Sequence, residues 1–221
     1  MTEIAVYVEG GGDRVALQEE LRRGFDTLFV KERSKAREKR GSLRFVCCGG
    51  RDQAYKAYKN ALEVNPERVN ALLVDSESAV APVPSDKAED GVVRVAHLRQ
   101  KEGVGVRGQG DGWELSDDLA THIHLMVQCM EAWIVSDPDA LEGFYKQGFK
   151  RNSLPKRSDL EQEPKADLYD KLKSATEKTQ KGEYGKIKHA SKLLEKIDPD
   201  AIAKHCSRFT IFRAWLLESI G

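Results

Sequence analysis

The stretch Ile4-Ala5-Val6-Tyr7-Val8-Glu9-Gly10-Gly11-Gly12-Asp13 opens with five apolar residues, rich in β-branched and aromatic types, and stops abruptly at a carboxylate and three glycines. That pattern predicts a buried strand running into a tight turn. Leu17, Leu21, Phe25 and Leu28 then recur at helical spacing. Asp13 is placed either to cap this helix or to offer its carboxylate to a ligand. The apolar face fades in the second half of the helix, where the chain becomes the charged run from Lys31 to Arg40. A second strand is expected from Leu43 to Cys48, closed by Gly49 and Gly50. The helix after it carries Ala54, Ala57, Tyr58, Ala61 and Leu62 on one stripe and stops near Pro66. Val69 to Val74 supplies a third strand, ended by Asp75-Ser76-Glu77. Strand, helix, strand, helix, strand predicts right-handed crossovers, and so a parallel sheet covered on both faces.

Beyond Ser78 this rhythm breaks. Residues 78–118 contain prolines at 82 and 84 and glycines at 103, 105, 108, 110 and 112, and read as a long excursion with one strand at Val92–Ala96. Loops of such length inside a compact domain are usually functional or mobile. A fourth strand follows over His122 to Gln128, then a helix through Met130-Glu131-Ala132-Trp133-Ile134, and Asp137-Pro138 opens another. Residues 143–182 are polar, lysine-rich and weakly periodic. Two helices end the chain, one expected to bury Ile187, Ala190, Leu193, Leu194 and Ile197, the other Phe209, Phe212, Leu216 and Ile220. The fold class is therefore α/β, with a parallel sheet of about four strands in residues 1–140 and a basic helical region in residues 141–221 packing on it. There is no internal repeat.

Hydrophobic residues make up 40% and charged residues 33% of the 221, a globular and charge-rich composition. The first residues lack the basic and apolar regions of a secretory signal, and no apolar run approaches the roughly 20 residues of a bilayer span. Cys47, Cys48, Cys129 and Cys206 form no C-x-x-C pair, which argues against a disulfide framework or a zinc site. A cytoplasmic protein without membrane contact is expected. The zero net charge divides unevenly: residues 141–221 carry 17 Lys and Arg against 12 Asp and Glu, and the first 140 carry 19 against 24. Acid in one part and base in the other suits a metal site beside a phosphate-binding surface, although so small an imbalance also arises by chance.

Three acidic groups stand just past expected strand ends: Glu9, then Asp75 with Glu77, then Glu131 with Asp137. Parallel strands would bring these ends into one crevice. Carboxylates so gathered repel one another unless a cation or protons neutralise them, and oxygen ligands without His or Cys favour Mg²⁺ or Mn²⁺. Alternate residues of an extended segment point the same way, so Asp75 and Glu77 could share one metal or hold two. Asp137, directly before Pro138, is equally a helix cap. Glu131, among Met130, Ala132 and Trp133, needs a partner if buried.

With Val8-Glu9-Gly10, Asp13 and Asp75-Ser76-Glu77 in these positions, the chain resembles a Toprim domain, the module shared by topoisomerases, primases and overcoming-lysogenization-defect nucleases. The resemblance implies a general acid or base at Glu9 and magnesium at the Asp75–Glu77 pair. The family pattern there is Asp-x-Asp; the Glu in this chain keeps a carboxylate and lengthens its reach. Gln128-Cys129-Met130-Glu131-Ala132-Trp133 with Asp137, and Tyr184-x-Lys186-x-x-His189 with Leu193-Leu194, are similar to an uncharacterised bacterial Toprim-like family often encoded beside ABC-type ATPases in phage-defence loci. This likeness covers most of the chain, with residues 78–118 and 143–182 matching poorly. It implies a magnesium-dependent nuclease acting on DNA or tRNA, coupled to a separate ATPase and leaving room for a homodimer. No G-x-x-x-x-G-K-[ST] occurs, so ATP dependence would have to come from another polypeptide.

Asp75, Glu77 and Glu131, with Asp13 and Asp137 as further candidates, are then the expected metal ligands. Glu9 is the expected acid or base, and Lys186 and His189 would neutralise the phosphate if the terminal helices fold back; both also suit a solvated helix start. Lys35, Arg37, Lys39 and Arg40 in one basic run, and Lys150 and Arg151 in another near Phe144, Tyr145 and Phe149, fit a phosphate backbone or simply a solvated face. Two other classes stay open. One is a degenerate Toprim domain serving as a non-catalytic binding subunit of an ATPase complex; the other is a phosphatase or nucleotidyl-transfer enzyme on small substrates.

Overall fold

The computed structural model describes residues 1–86, 89–99 and 112–221. Four strands, β1 (Glu3–Val8), β2 (Ser42–Cys47), β3 (Val69–Asp75) and β4 (Ile123–Met126), form one sheet in the order β2-β1-β3-β4. Every pairing is parallel, with Val8 opposite Cys47 and Leu73 and with Asp75 opposite Met126. The chain is thus α/β, as the alternation of elements predicts. β1 has β2 on one side and β3 on the other. The connections leaving β1 and β3 therefore run to opposite sides and part at the carboxyl ends of these strands, where α/β sheets place their crevice.

Alternation along the strands divides the interior. Ile4, Val6, Val8, Phe45, Ala71 and Leu73 face one core, while Ala5, Tyr7, Leu72, Val74, Ile123 and Leu125 face the other. The second core is covered by α3 (Arg51–Val64) and α4 (Asp90–Arg99). The first is covered by α1 (Val15–Leu28), α2 (Val30–Glu38), α5 (Glu131–Val135) and α6 (Pro138–Tyr145), together with α7 (Lys165–Thr176), α8 (Lys186–Leu194), α9 (Pro199–His205) and α10 (Ser207–Ile220). The C-terminal helices share this core with the sheet: Phe29 lies 5.7 Å from Phe209 and 5.5 Å from Phe212, and Trp133 lies 4.9 Å from Phe209, centroid to centroid. A buried ion pair adds to the attachment, with Arg208 on α10 reaching Asp90 on α4 at 2.8 Å. No helix among the described residues is long and apolar enough to cross a membrane.

Three sequence expectations give way. Val92–Ala96 is not a strand but the middle of α4. Its β-branched residues favour a strand locally, but Gly91, Arg94, Val95 and Leu98 repeat at helical spacing and are all buried. Asp13 does not cap α1; Arg14 occupies the N-cap position, with no side-chain hydrogen bond. Ile187, expected inside, is 63% exposed, while Ala190, Leu193 and Leu194 of the same helix are buried. The glycines at 103, 105, 108 and 110 lie outside the described residues.

Candidate metal and phosphate site

Glu9 follows β1 by one residue and Asp75 ends β3, so their side chains meet across adjacent strand ends. The turn after β1 is tight because Gly10 and Gly11 take φ of +131° and +90°. A Cβ there would come within 2.7 Å of Leu21 Cδ2 or Gln18 Cα, so only glycine fits. Reciprocal backbone hydrogen bonds between Gly10 and Gly49, at 2.7 and 2.9 Å, tie this turn to the end of β2. Glu77 sits one turn past Asp75, not extended beside it: its φ is +65°, and its N–H donates to the Gln128 carbonyl at 2.9 Å. A left-handed conformation at a glutamate is held only where its surroundings over-determine it. Here the Ser76 N–H donates to the Met126 carbonyl at 3.0 Å, and His97 Nε2 on α4 sits 2.8 Å from the Ser76 carbonyl.

One carboxylate oxygen from each of Glu9, Asp75 and Glu77 lies within 4.8 Å of the others. Asp75 is fully buried and accepts from the Met130 N–H at 2.9 Å. Among the described residues, three cations enter the cluster. Lys186 Nζ is 3.0 Å from Asp75 Oδ2 and 3.9 Å from Glu131 Oε2. Lys165 Nζ reaches both Glu77 oxygens at 2.7 Å and Asp75 Oδ2 at 3.8 Å. Arg51, at the start of α3, is 3.1 Å from Glu9 Oε2 and also donates to the Asp75 carbonyl. Its guanidinium lies 5.1 Å over Trp113, which stacks on Tyr55 at 4.4 Å. The 78–118 excursion thus backs the site with Trp113 and His97.

Burial and the neighbouring Asp75 charge push the Glu9 carboxyl up to about 7, against the lowering pull of Arg51 and Lys186. Burial disfavours the Lys186 ammonium, but Asp75 and Glu131 outweigh it and hold its pKa well above the usual lysine value. Lys165 is likewise raised: burial is opposed by Asp75 and Glu77, which prevail.

The other expected site residues are placed differently. Glu131 is fully buried, accepts from the Tyr184 hydroxyl at 2.8 Å, and approaches the cluster only through Lys186. Asp137 is a structural cap, accepting from Ala140 N on α6 and from Asp198 N before α9, each at 2.9 Å. Asp13 is exposed and outside the three-carboxylate group. His189 is buried in an aromatic box, with Nδ1 3.0 Å from the Tyr145 hydroxyl and its ring 6.2 Å from Tyr184; it braces the tyrosine that holds Glu131. Lys35, Arg37, Lys39 and Arg40 lie on α2 and the turn into β2, at the amino end of the strands and away from the carboxylates. Lys150 pairs with Glu177 at 2.7 Å, and Arg151 with Asp139 and Glu142 on the surface.

Arg51 and Lys165 were not legible as site residues in the sequence. Arg51 had a usable signal, since it opens the helix after the turn that leaves the carboxyl end of β2, on the same side of the sheet as Glu9 and Asp75. Lys165 had none: it arrives from a weakly periodic segment and is anchored by its N–H on Gln128 Oε1 at 3.2 Å.

A family model described as "Domain of unknown function (DUF4276)" matches residues 8–217. The chain belongs to that family. The match takes in every strand-end residue of the site and both lysines. Searches of the curated proteins and of the solved structures found no match.

Proposed function

We propose that the chain is a Mg²⁺- or Mn²⁺-dependent nuclease that hydrolyses phosphodiesters of DNA or tRNA as the effector of a separate ABC-type ATPase. The observation that carries this reading is the convergence of Glu9, Asp75 and Glu77 within 4.8 Å at adjacent parallel strand ends. The donor set fits a hard divalent cation: it is all carboxylate oxygen, with neither His nor Cys. Glu131 Oε2, buried behind the cluster, lies 3.9 Å from Lys186 Nζ. Asp75 and Glu77 would hold the ion beside Glu9, and when bound it would supply Lewis-acid stabilisation to the phosphate oxygens. Glu9, whose carboxyl is pushed up by burial and by Asp75 when no metal is bound, can take a proton from water or return one to the leaving oxygen. Arg51 fixes the orientation of Glu9. Lys165 and Lys186, released from the carboxylates they now neutralise, would meet the phosphate. The Toprim resemblance supports the same chemistry, and the ATPase partner rests on it.

A second reading, a non-catalytic binding subunit, is favoured by the pairing of all three cations with the carboxylates, which balances the site without metal. Titrating Mg²⁺ and Mn²⁺ into the protein and its Asp75→Asn variant, with plasmid, single-stranded DNA and total tRNA as substrates, separates the two. Metal-dependent cleavage lost in Asp75→Asn is the expected result. Cleavage retained in the variant refutes the site, and absence of both cleavage and metal binding establishes the binding subunit.

A further inference from the structure

Next to the carboxylates, between the Gly10–Gly12 turn, α1 and the start of α8, is a cavity of about 250 Å³. Glu9 and Lys186 form its charged edge; Leu17, Leu21, Met130 and Ile187 supply its large apolar side chains, and small residues line the remainder. Leu21 and Met130 are buried wall residues, whereas Ile187 stands at the mouth, 63% exposed. A cavity charged at one end and apolar at the other suits a ligand of the same character, an anionic group joined to an apolar body. We infer that it holds one unpaired nucleobase of a single-stranded substrate, with the adjoining phosphate at the Glu9–Lys186 edge.

This rests on the nuclease reading and narrows it. In a nucleic acid the apolar body attached to each phosphate through its sugar is the base. Inside a duplex that base is stacked on both faces and paired along its edge, so it cannot enter the cavity without leaving the helix. Asp75 is fully buried, so a phosphate on the outside of a duplex cannot come close to it without the nucleotide turning inward. Unstacking costs a few kcal/mol from a duplex and least from a strand already single. The aliphatic lining offers contact to a base face and little hydrogen bonding to a base edge, so sequence preference is expected to be weak.

The test measures binding first, with Ca²⁺ replacing Mg²⁺ to prevent turnover. One labelled oligonucleotide sequence is offered as a single strand, in a hairpin loop, fully paired, and with one abasic position moved along the strand. Single strand and loop should bind about tenfold more tightly than duplex, the gain of roughly one base contact. Ile187→Asp, at an exposed position that the fold does not need, should remove this gain. It should add nothing further on a strand abasic at the critical position. An abasic strand that binds as well as the intact one at every position, or a variant with no effect, overturns the inference. So does Mg²⁺-dependent cleavage of duplex as fast as of single strand, although the nuclease reading then survives. If the binding differences appear but Mg²⁺ gives no cleavage, the cavity assignment stands and the nuclease reading falls. Ile187-dependent binding of an alkyl phosphate, with no response to oligonucleotides, would reassign the cavity to an amphiphile.

Discussion

Replacing Lys186 with Met removes the ammonium 3.0 Å from Asp75 and 3.9 Å from Glu131, both carboxylates being fully buried. Stripping a buried ion pair of one partner costs about 3–5 kcal/mol, mostly from the charge left behind. Here the Lys186 side chain keeps 33% of its surface in water, and Lys165 remains 3.8 Å from Asp75, so solvent and the second lysine offset part of the loss. About 2–3 kcal/mol is therefore expected. For a chain of this length that lowers Tm by roughly 4–12 °C in metal-free buffer. Saturating Mg²⁺ should restore more stability in the variant than it adds to the wild type, because the ion no longer competes with an ammonium for Asp75. At a hundred times Kd the restoration is about 2.7 kcal/mol. The assay is differential scanning fluorimetry of both proteins in EDTA and across a Mg²⁺ series. A Lys186→Met protein as stable as wild type in EDTA, or one no more responsive to Mg²⁺, refutes the idea that lysine and metal share one set of oxygens.

Glu9 supplies a pH prediction. Its carboxyl is raised to about 7 from an ordinary value of 4.5, so folding takes up a proton between those values and wild-type stability falls as pH rises through that window. Glu9→Gln lacks this dependence, so its Tm relative to wild type should rise from pH 4.5 to pH 7 and then level off; a constant difference contradicts the shift. Tyr184→Phe leaves the buried Glu131 Oε1 without its 2.8 Å donor, with an expected cost of about 1–3 kcal/mol by urea denaturation. Arg208→Met takes one of two guanidinium partners from the fully buried Asp90, with Arg94 still 3.0 Å away, and should cost about 1.5–3 kcal/mol, read as a lower urea midpoint with an unchanged slope.

β1 and β3 were legible because each is a short apolar run ended by a carboxylate, and a strand buried on both faces needs little beyond that. The site was legible where its residues sit at strand ends, as Glu9, Asp75 and Glu77 do. α4 was misread because Val92, Val93 and Val95 carry strand propensity, whereas helical packing of Gly91, Arg94, Val95 and Leu98 decides the outcome. Asp13 and Asp137 have the same chemistry in sequence. Only the third dimension places one in solvent and the other across two helix starts. His189 shows the limit most plainly. A histidine at the fourth position of a lysine-rich helix looks solvent-facing until Phe144 and Tyr145 close over it.

Two of the three cations in the carboxylate cluster, Lys165 and Lys186, come from the last third of the chain, whereas Glu9, Asp75, Glu77 and Glu131 all precede residue 140. During synthesis the four acids leave the ribosome well before the two lysines. Until α7 and α8 dock, Arg51 is the sole cation of the trio available to them, and the half-made cluster repels itself. The order of residues along the chain therefore acts as a timer: a nascent polypeptide carries the acids of the site without the groups that set their spacing, and a translation product truncated before α7 would be left in the same state.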